Sequence, residues 1–168
     1  MNTFKDATTE EINAIMEQSW NAFETYRTFS LQQRAGFIHA IATALGSISE
    51  AVVAAAMKET HLPEPRLNNE LTRTIFQLNS YADACKQGNW IEARIDTAIT
   101  ERNPSKPDLR KMLVPLGPVV VFGASNFPFA YSTAGGDTAC ALAAGCPVIV
   151  KAHPAHAQTS QMVSDTII

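Results

Sequence analysis

Asn126 and Lys151 are the two side chains in this 168-residue chain whose type and position invite chemistry. Asn126 closes the small-residue segment Gly123-Ala124-Ser125-Asn126, which directly follows the apolar run Pro118-Val119-Val120-Val121-Phe122. A side-chain amide just past a strand end can donate an N–H to a developing oxyanion, a role often worth about 2.7–4 kcal/mol. The same amide can instead cap a following helix, a position that favours Asn. Lys151 follows Val148-Ile149-Val150 and so ends a second apolar run. There a lysine is a point charge suited to ribose hydroxyls or phosphate. Small residues let a flat ligand approach the backbone, and the start of a following helix would add its positive end. A nucleotide cofactor fits both positions. No G-x-G-x-x-G is present, however, and buried strands often end in Gly or Lys for packing reasons alone.

The elements that must position these residues fall into two kinds. The first half is helical by pattern. Thr8-Thr9-Glu10-Glu11 has the form of a capping box, after which Ile12, Ile15/Met16 and Phe23 recur at helical spacing. Ser30 with Gln33 repeats the box ahead of Phe37, Ile38, Ile41 and Leu45, and Gly46 is expected to stop that helix. Ser47 with Glu50 should open a third helix containing Val52, Val53, Ala56 and Met57. Beyond the breaks at Pro63 and Pro65, a fourth helix is expected through Leu71, Ile75, Leu78, Ala82 and Cys85, ending at Gly88. Trp90, Ala93, Ile95, Thr97 and Ile99 then read as a strand, and residues 101–109 as an exposed connection.

The last third changes character. The run ending at Phe122 is continuous and apolar, as expected of a strand buried on both faces. A helix of small residues is expected from Phe129 to Ala144, closed by Gly145 and Pro147, followed by a second apolar strand ending at Lys151 and a further helix from Ala155. Strand, helix and strand over about 30 residues make a βαβ unit with parallel strands. The fold class is therefore α/β: a helical segment (1–88), a strand and connection (89–109), and the start of a Rossmann-like parallel sheet (110–168). In open sheets of this kind ligands bind at the carboxyl ends of the strands, here residues 123–126 and 151–154.

Composition agrees with a single globular unit: 46% hydrophobic, 17% charged, 8 Gly and 9 Pro. The net charge of −3 divides into −4 over residues 1–100 and +1 over the remainder, without a basic stripe, which argues against a nucleic-acid partner. No apolar run reaches the roughly 18 residues of a membrane helix. Three cysteines, Cys85, Cys140 and Cys146, lack C-x-x-C spacing, and the opening MNTFKDATTEE is not an apolar leader. A reducing cytoplasm is expected, with neither a disulfide framework nor a metal site.

From Leu113 onward, the stretch LVPLGPVVVFGASNFPFAYSTAGGDTACALAAGCPVIVKAHPAHAQTS resembles the opening of the cofactor-binding domain of the aldehyde dehydrogenase superfamily. It is especially similar to the branch acting on 2-oxoglutarate semialdehyde (2,5-dioxopentanoate), often with NADP. The preceding helices, with Lys58-Glu59-Thr60, are similar to that family's N-terminal segment. The resemblance implies NAD(P)-dependent oxidation of a small-molecule aldehyde to a carboxylic acid. It assigns Asn126 to the oxyanion hole and lays Phe122, Gly123, Ala124 and Ser125 along the cofactor. Lys151 would contact the adenosine ribose or its 2′-phosphate, which His153 would also approach. Many NAD-preferring members carry a Glu at the position of Pro154; without that carboxylate a 2′-phosphate meets no like charge, so NADP is favoured over NAD. Where the family often has Trp before the Asn, this chain has Ser125.

The family's nucleophilic cysteine and general-base glutamate fall beyond residue 168. Of the cysteines present, Cys140 lies inside the crossover helix, Cys146 at the amino end of a strand, and Cys85 on a surface-packing helix, so none is expected to be the nucleophile. His39, His61 and His156 are expected to be structural or exposed. The chain stops inside a helix, as the first third of a dehydrogenase would, and should leave apolar strand edges uncovered. The resemblance also implies a homo-oligomer for the full-length enzyme, with the strand near 90–99 pairing outside its own unit. The alternative is a non-catalytic nucleotide-binding or interaction remnant.

Overall fold

The computed structural model describes residues 4–168. Four helices come first: α1 (Thr9–Tyr26), α2 (Leu31–Ser47), α3 (Ser49–Thr60) and α4 (Glu64–Gln87). Both expected capping boxes form. The Thr8 hydroxyl accepts from the Glu11 N–H while the Glu11 carboxylate accepts from the Thr8 N–H, and Ser30 with Gln33 repeats the exchange. Gly88, at φ 72°, ends α4 in the left-handed conformation that glycine adopts without cost.

The junction between α2 and α3 differs from expectation. Gly46 does not stop α2, which runs one residue further, and Ser47 caps nothing: its hydroxyl donates back to the Ala44 carbonyl. A single non-helical residue, Ile48, joins the two helices, which bend by 71°. With so short a joint Ser47 still belongs to the preceding helix, so the Ser47–Glu50 box cannot form. No single described helix is long and apolar enough to cross a membrane.

The core lies between α2, α3, α4 and α5 (Gly136–Ala144), with α6 (Ala157–Ile167) closing one side. Ile38, Val52, Leu67, Leu78, Ala82 and Cys85 are wholly buried there. Cys85 is thus a core residue: its thiol donates to the Ala143 carbonyl at 3.4 Å, and burial pushes its pKa up. Tyr26 and Arg34 tie the first helices to the end of α5. The Tyr26 hydroxyl donates to the Leu142 carbonyl at 3.0 Å, and the Arg34 guanidinium donates to the carbonyls of Ala144 and Arg27. A cation at a helix carboxyl end opposes the partial negative charge there. Gly145 is required at that point by its φ of 92° and because a Cβ would sit 2.5 Å from the guanidinium carbon of Arg34.

The expected 90–99 strand shortens to β1 (Arg94–Asp96), preceded by a 3-10 turn over Asn89–Ile91 and by Glu92 in a left-handed conformation. It pairs antiparallel with β2 (Leu109–Lys111), an additional strand that begins at the last residue of the expected 101–109 connection. Both strands are exposed on both faces, and Ile95 is 68% exposed, so alternation here does not mark a buried face.

β3 (Val119–Phe122) and β4 (Val148–Lys151) pair in parallel with Phe122 opposite Lys151, and α5 connects them, completing the βαβ unit. Burial on both faces does not follow. Val121 packs inward, but Phe122 is 72% exposed, because two strands and the helices present cover one face only. The helix expected from Phe129 begins at Gly136 instead. Residues 129–135 fold into turns in which Gly136 N–H donates to the Ala130 carbonyl at 3.0 Å, and a Cβ on Gly135 would lie 2.4 Å from that same oxygen. The chain doubles back on itself too tightly there for a helix.

Candidate cofactor and oxyanion site

The carboxyl ends of β3 and β4 bring Phe122, Gly123, Lys151 and His153 together. Phe122 and Lys151 are register partners, and Gly123 N–H donates to the Lys151 carbonyl at 3.0 Å. Gly123 is needed for close approach: a Cβ would meet the backbone nitrogen of His153 at 3.1 Å. Lys151 is exposed and forms no ion pair among the described residues, leaving its ammonium available. Pro154 opens a 3-10 turn, Pro154–His156, in which His153 Nδ1 accepts from Ala155 N–H at 3.1 Å. Loss of water and then the nearby His156 and Lys151 hold the His153 pKa below the ordinary imidazole value. Because Nδ1 accepts from Ala155 N–H, the neutral ring carries its proton on Nε2.

From Gly123 the chain enters a turn that is fixed from several directions. Ala124 N–H donates to the Tyr131 carbonyl at 2.8 Å, and the Ala124 carbonyl accepts from His156 Nε2 at 2.7 Å. Because a carbonyl only accepts, Nε2 carries the proton, leaving Nδ1 of this wholly buried ring without a partner among the described residues. Arg66 on α4 donates to the Asn126 carbonyl at 2.6 Å and lies over the Phe127 ring. One carboxylate oxygen of the buried Glu70 accepts from both Phe129 N–H and Ala130 N–H, at 2.8 and 3.0 Å. Hydrogen bonds to a charged group are worth about 1.5–3 kcal/mol, so Glu70 is the strongest single tether.

Within this frame Ser125 and Asn126 are exposed, and the Asn126 side-chain amide makes no hydrogen bond within the described residues. It caps no helix: α5 begins ten residues later with Gly135 at its cap. The positive helix end expected next to residues 123–126 is absent for the same reason. The amino end of α6 is also taken, since Glu59 on α3 accepts from Gln158 N–H, Thr159 N–H and the Thr159 hydroxyl at 2.7–2.9 Å. None of the thiols joins this arrangement. Cys85 is in the core, Cys146 is buried before β4 at the opposite end of the strand from Lys151, and Cys140 is exposed on α5.

The tethers Glu70, Arg66 and His156 were not apparent from the sequence. Glu70 and Arg66 lie in a polar helical stripe that looks like any solvated face, and His156 gave no periodic signal. Glu59, by contrast, lies in the Lys58-Glu59-Thr60 stretch that carries the family resemblance.

The aldehyde dehydrogenase family model matches residues 1–167. Two similar proteins are alpha-ketoglutaric semialdehyde dehydrogenase 2 of Azospirillum brasilense, 48% identical, and alpha-ketoglutaric semialdehyde dehydrogenase of Acinetobacter baylyi, 44% identical. Each alignment covers 98% of this chain and 31% of the relative, so the chain spans about a third of their length. Among solved structures, 1-pyrroline-5-carboxylate dehydrogenase from Thermus with bound NAD superposes with a TM-score of 0.82 at 22% identity, over 96% of this chain and 30% of that one. The turn that carries Asn126, the strand ending in Lys151 and the helices bracing them thus make up part of a known architecture, and the chain belongs to the aldehyde dehydrogenase family.

Proposed function

We propose that these residues serve the NAD(P)-dependent oxidation of an aldehyde to a carboxylic acid, as the N-terminal part of an aldehyde dehydrogenase acting on 2-oxoglutarate semialdehyde. The observation that carries this reading is the uncommitted Asn126 amide on a turn held by Glu70, Arg66 and His156. An amide fixed before the reaction stabilises a developing oxyanion without reorganising at that moment. Phe122, Gly123, Ala124 and Ser125 would lie along a nicotinamide dinucleotide, and Lys151, His153 and Pro154 would meet its adenosine ribose. When bound, that cofactor accepts hydride from the substrate carbon. The exposed, unpaired Lys151 and the uncharged Pro154 favour NADP over NAD.

The names of the relatives support the substrate, since both act on alpha-ketoglutaric semialdehyde. The exposed β1–β2 ribbon supports assembly into a homo-oligomer, and three unpaired thiols support a cytoplasmic setting. A second reading, nucleotide binding without catalysis, draws on the thiols lying away from Asn126.

Thermal denaturation of the chain with NADP and then NAD tests the cofactor. A ligand that binds only the folded state adds RT ln(1 + [L]/Kd), so a larger rise with NADP is expected. Lys151→Ala should reduce the NADP effect more than the NAD effect; an equal loss for both would remove the 2′-phosphate argument. In the full-length enzyme Asn126→Ala should lower kcat by about 10²–10³ with little change in cofactor affinity. Unchanged turnover would overturn the oxyanion role.

A further inference from the structure

Resting on that reading, the geometry points to Arg73 and Tyr131 as the subsite that takes the carboxylate of a short α-keto acid aldehyde, while Asn126 meets the aldehyde oxygen. Arg66, Glu70 and Arg73 stand at i, i+4 and i+7 on α4 and therefore share one face. All three contact the turn that carries Asn126, but in different ways. Glu70 is buried with one oxygen on two backbone amides, and Arg66 spends a donor on the Asn126 carbonyl. Arg73 is exposed, and its one side-chain hydrogen bond among the described residues runs from Nη2 to the Tyr131 hydroxyl oxygen at 3.3 Å. Neither arginine forms an ion pair among the described residues.

Because Arg73 donates to the Tyr131 oxygen, the Tyr131 proton remains free to donate elsewhere. The other guanidinium N–H groups and this proton form a set of donors with no carboxylate to satisfy them, the chemistry that recognises a carboxylate. The set is held in place. Arg73 lies over the Tyr131 ring at 5.8 Å, and Tyr131 meets Phe127 edge-on at 5.2 Å. Tyr131 also returns to the site through its carbonyl, which accepts from Ala124 N–H. Asn126 and the Arg73–Tyr131 donors thus border one turn, and the proposed substrate carries its aldehyde and its acid at opposite ends. A neutral aldehyde would leave the guanidinium unmatched.

The oxidation product of 2-oxoglutarate semialdehyde is 2-oxoglutarate, a stable probe with the same acid group. Titration of the isotopically labelled chain should shift the Arg73 Nε–H and Asn126 side-chain amide resonances with 2-oxoglutarate and not with its dimethyl ester. Arg73→Gln should weaken that binding about tenfold or more, and Tyr131→Phe about threefold, since charge-assisted bonds exceed neutral ones. Both positions are exposed, so both variants should keep the amide dispersion of the parent. An equal response to the diester, or an Arg73→Gln titration that matches the parent, overturns the subsite. NADP added to the same sample and read at Gly123 and Lys151 separates the two proposals. NADP binding without an acid response at Arg73 overturns the subsite alone. An acid response without NADP binding supports the subsite and overturns the dinucleotide reading.

Discussion

The helical core and the strand-bearing surface both carry large apolar side chains, yet these end in opposite states. Leu67, Leu78 and Ile38 are fully buried by neighbouring helices, whereas Phe122, Ile95 and Leu116 lie in or beside strands and remain largely exposed. A helix satisfies its own backbone, so α2, α3, α4 and α5 need from one another only an apolar stripe each. A strand leaves half of its backbone groups and one whole face to others. β3 and β4 have each other and one helical layer, while β1 and β2 have only each other. Self-contained packing is therefore a property of the helices, while the strands leave large apolar side chains in solvent. The candidate site sits on the boundary: its turn carries residues at the strand ends but is braced by side chains of α4.

Substitutions should separate the two regions most sharply in the core. Leu78→Ala is expected to cost about 2–5 kcal/mol in urea unfolding, since the surrounding helices cannot close the cavity. Glu59→Ala removes all three bonds that cap α6 and should cost about 1–2 kcal/mol, with faster amide exchange at residues 158 and 159. Retained protection there would mean that α6 is held by packing alone. Thr8→Ala loses one side of an exposed capping box and should cost about 0.5–1 kcal/mol, seen as fraying confined to the first turn of α1. Phe122→Ser should change stability by less than about 0.5 kcal/mol, because the ring is already in water. A loss as large as that of Leu78→Ala would erase the contrast between the regions.

The smallest expected effect is a pH dependence at His153. The folded state favours the neutral ring, whose Nδ1 accepts from Ala155 N–H. Its contribution is therefore present above the ordinary imidazole pKa and is lost as pH falls through the lower folded-state value. The ring resonances of His153 should titrate with a midpoint below that of a free histidine. A raised midpoint would show that loss of water and the neighbouring His156 and Lys151 do not govern this ring.

The helices were legible because their signals are local. The boxes at Thr8 and Ser30 and the stop at Gly88 each act within a few residues, and the spacing of buried positions on α2 and α4 follows from one turn of helix. The two parallel strands and their ends at Phe122 and Lys151 were legible as uninterrupted apolar runs. Less visible were the features that arise where chain segments crowd one another. Residues 129–135 belong to a small-residue run that reads as a helix, but Gly135 lets the chain close on Ala130, whose carbonyl accepts from Gly136 N–H. β2 left no signal because an exposed two-stranded ribbon needs no apolar alternation. At the α2–α3 joint Ser47 has the right type and spacing for a cap, and only the continued path of α2 removes it from that role.

By itself the sequence determined the order of helices, the βαβ unit, and the placement of Asn126 beyond one strand end and of Lys151 at the end of the other, since each rests on neighbours close along the chain. The tertiary structure decided which apolar faces are covered, that Asn126 caps no helix, and which distant side chains hold its turn. Glu70 and Ala130 are 60 residues apart, and His156 and Ala124 are 32 apart. Contacts at such separations follow from how the helices pack, and a periodicity read within a few turns carries no record of them.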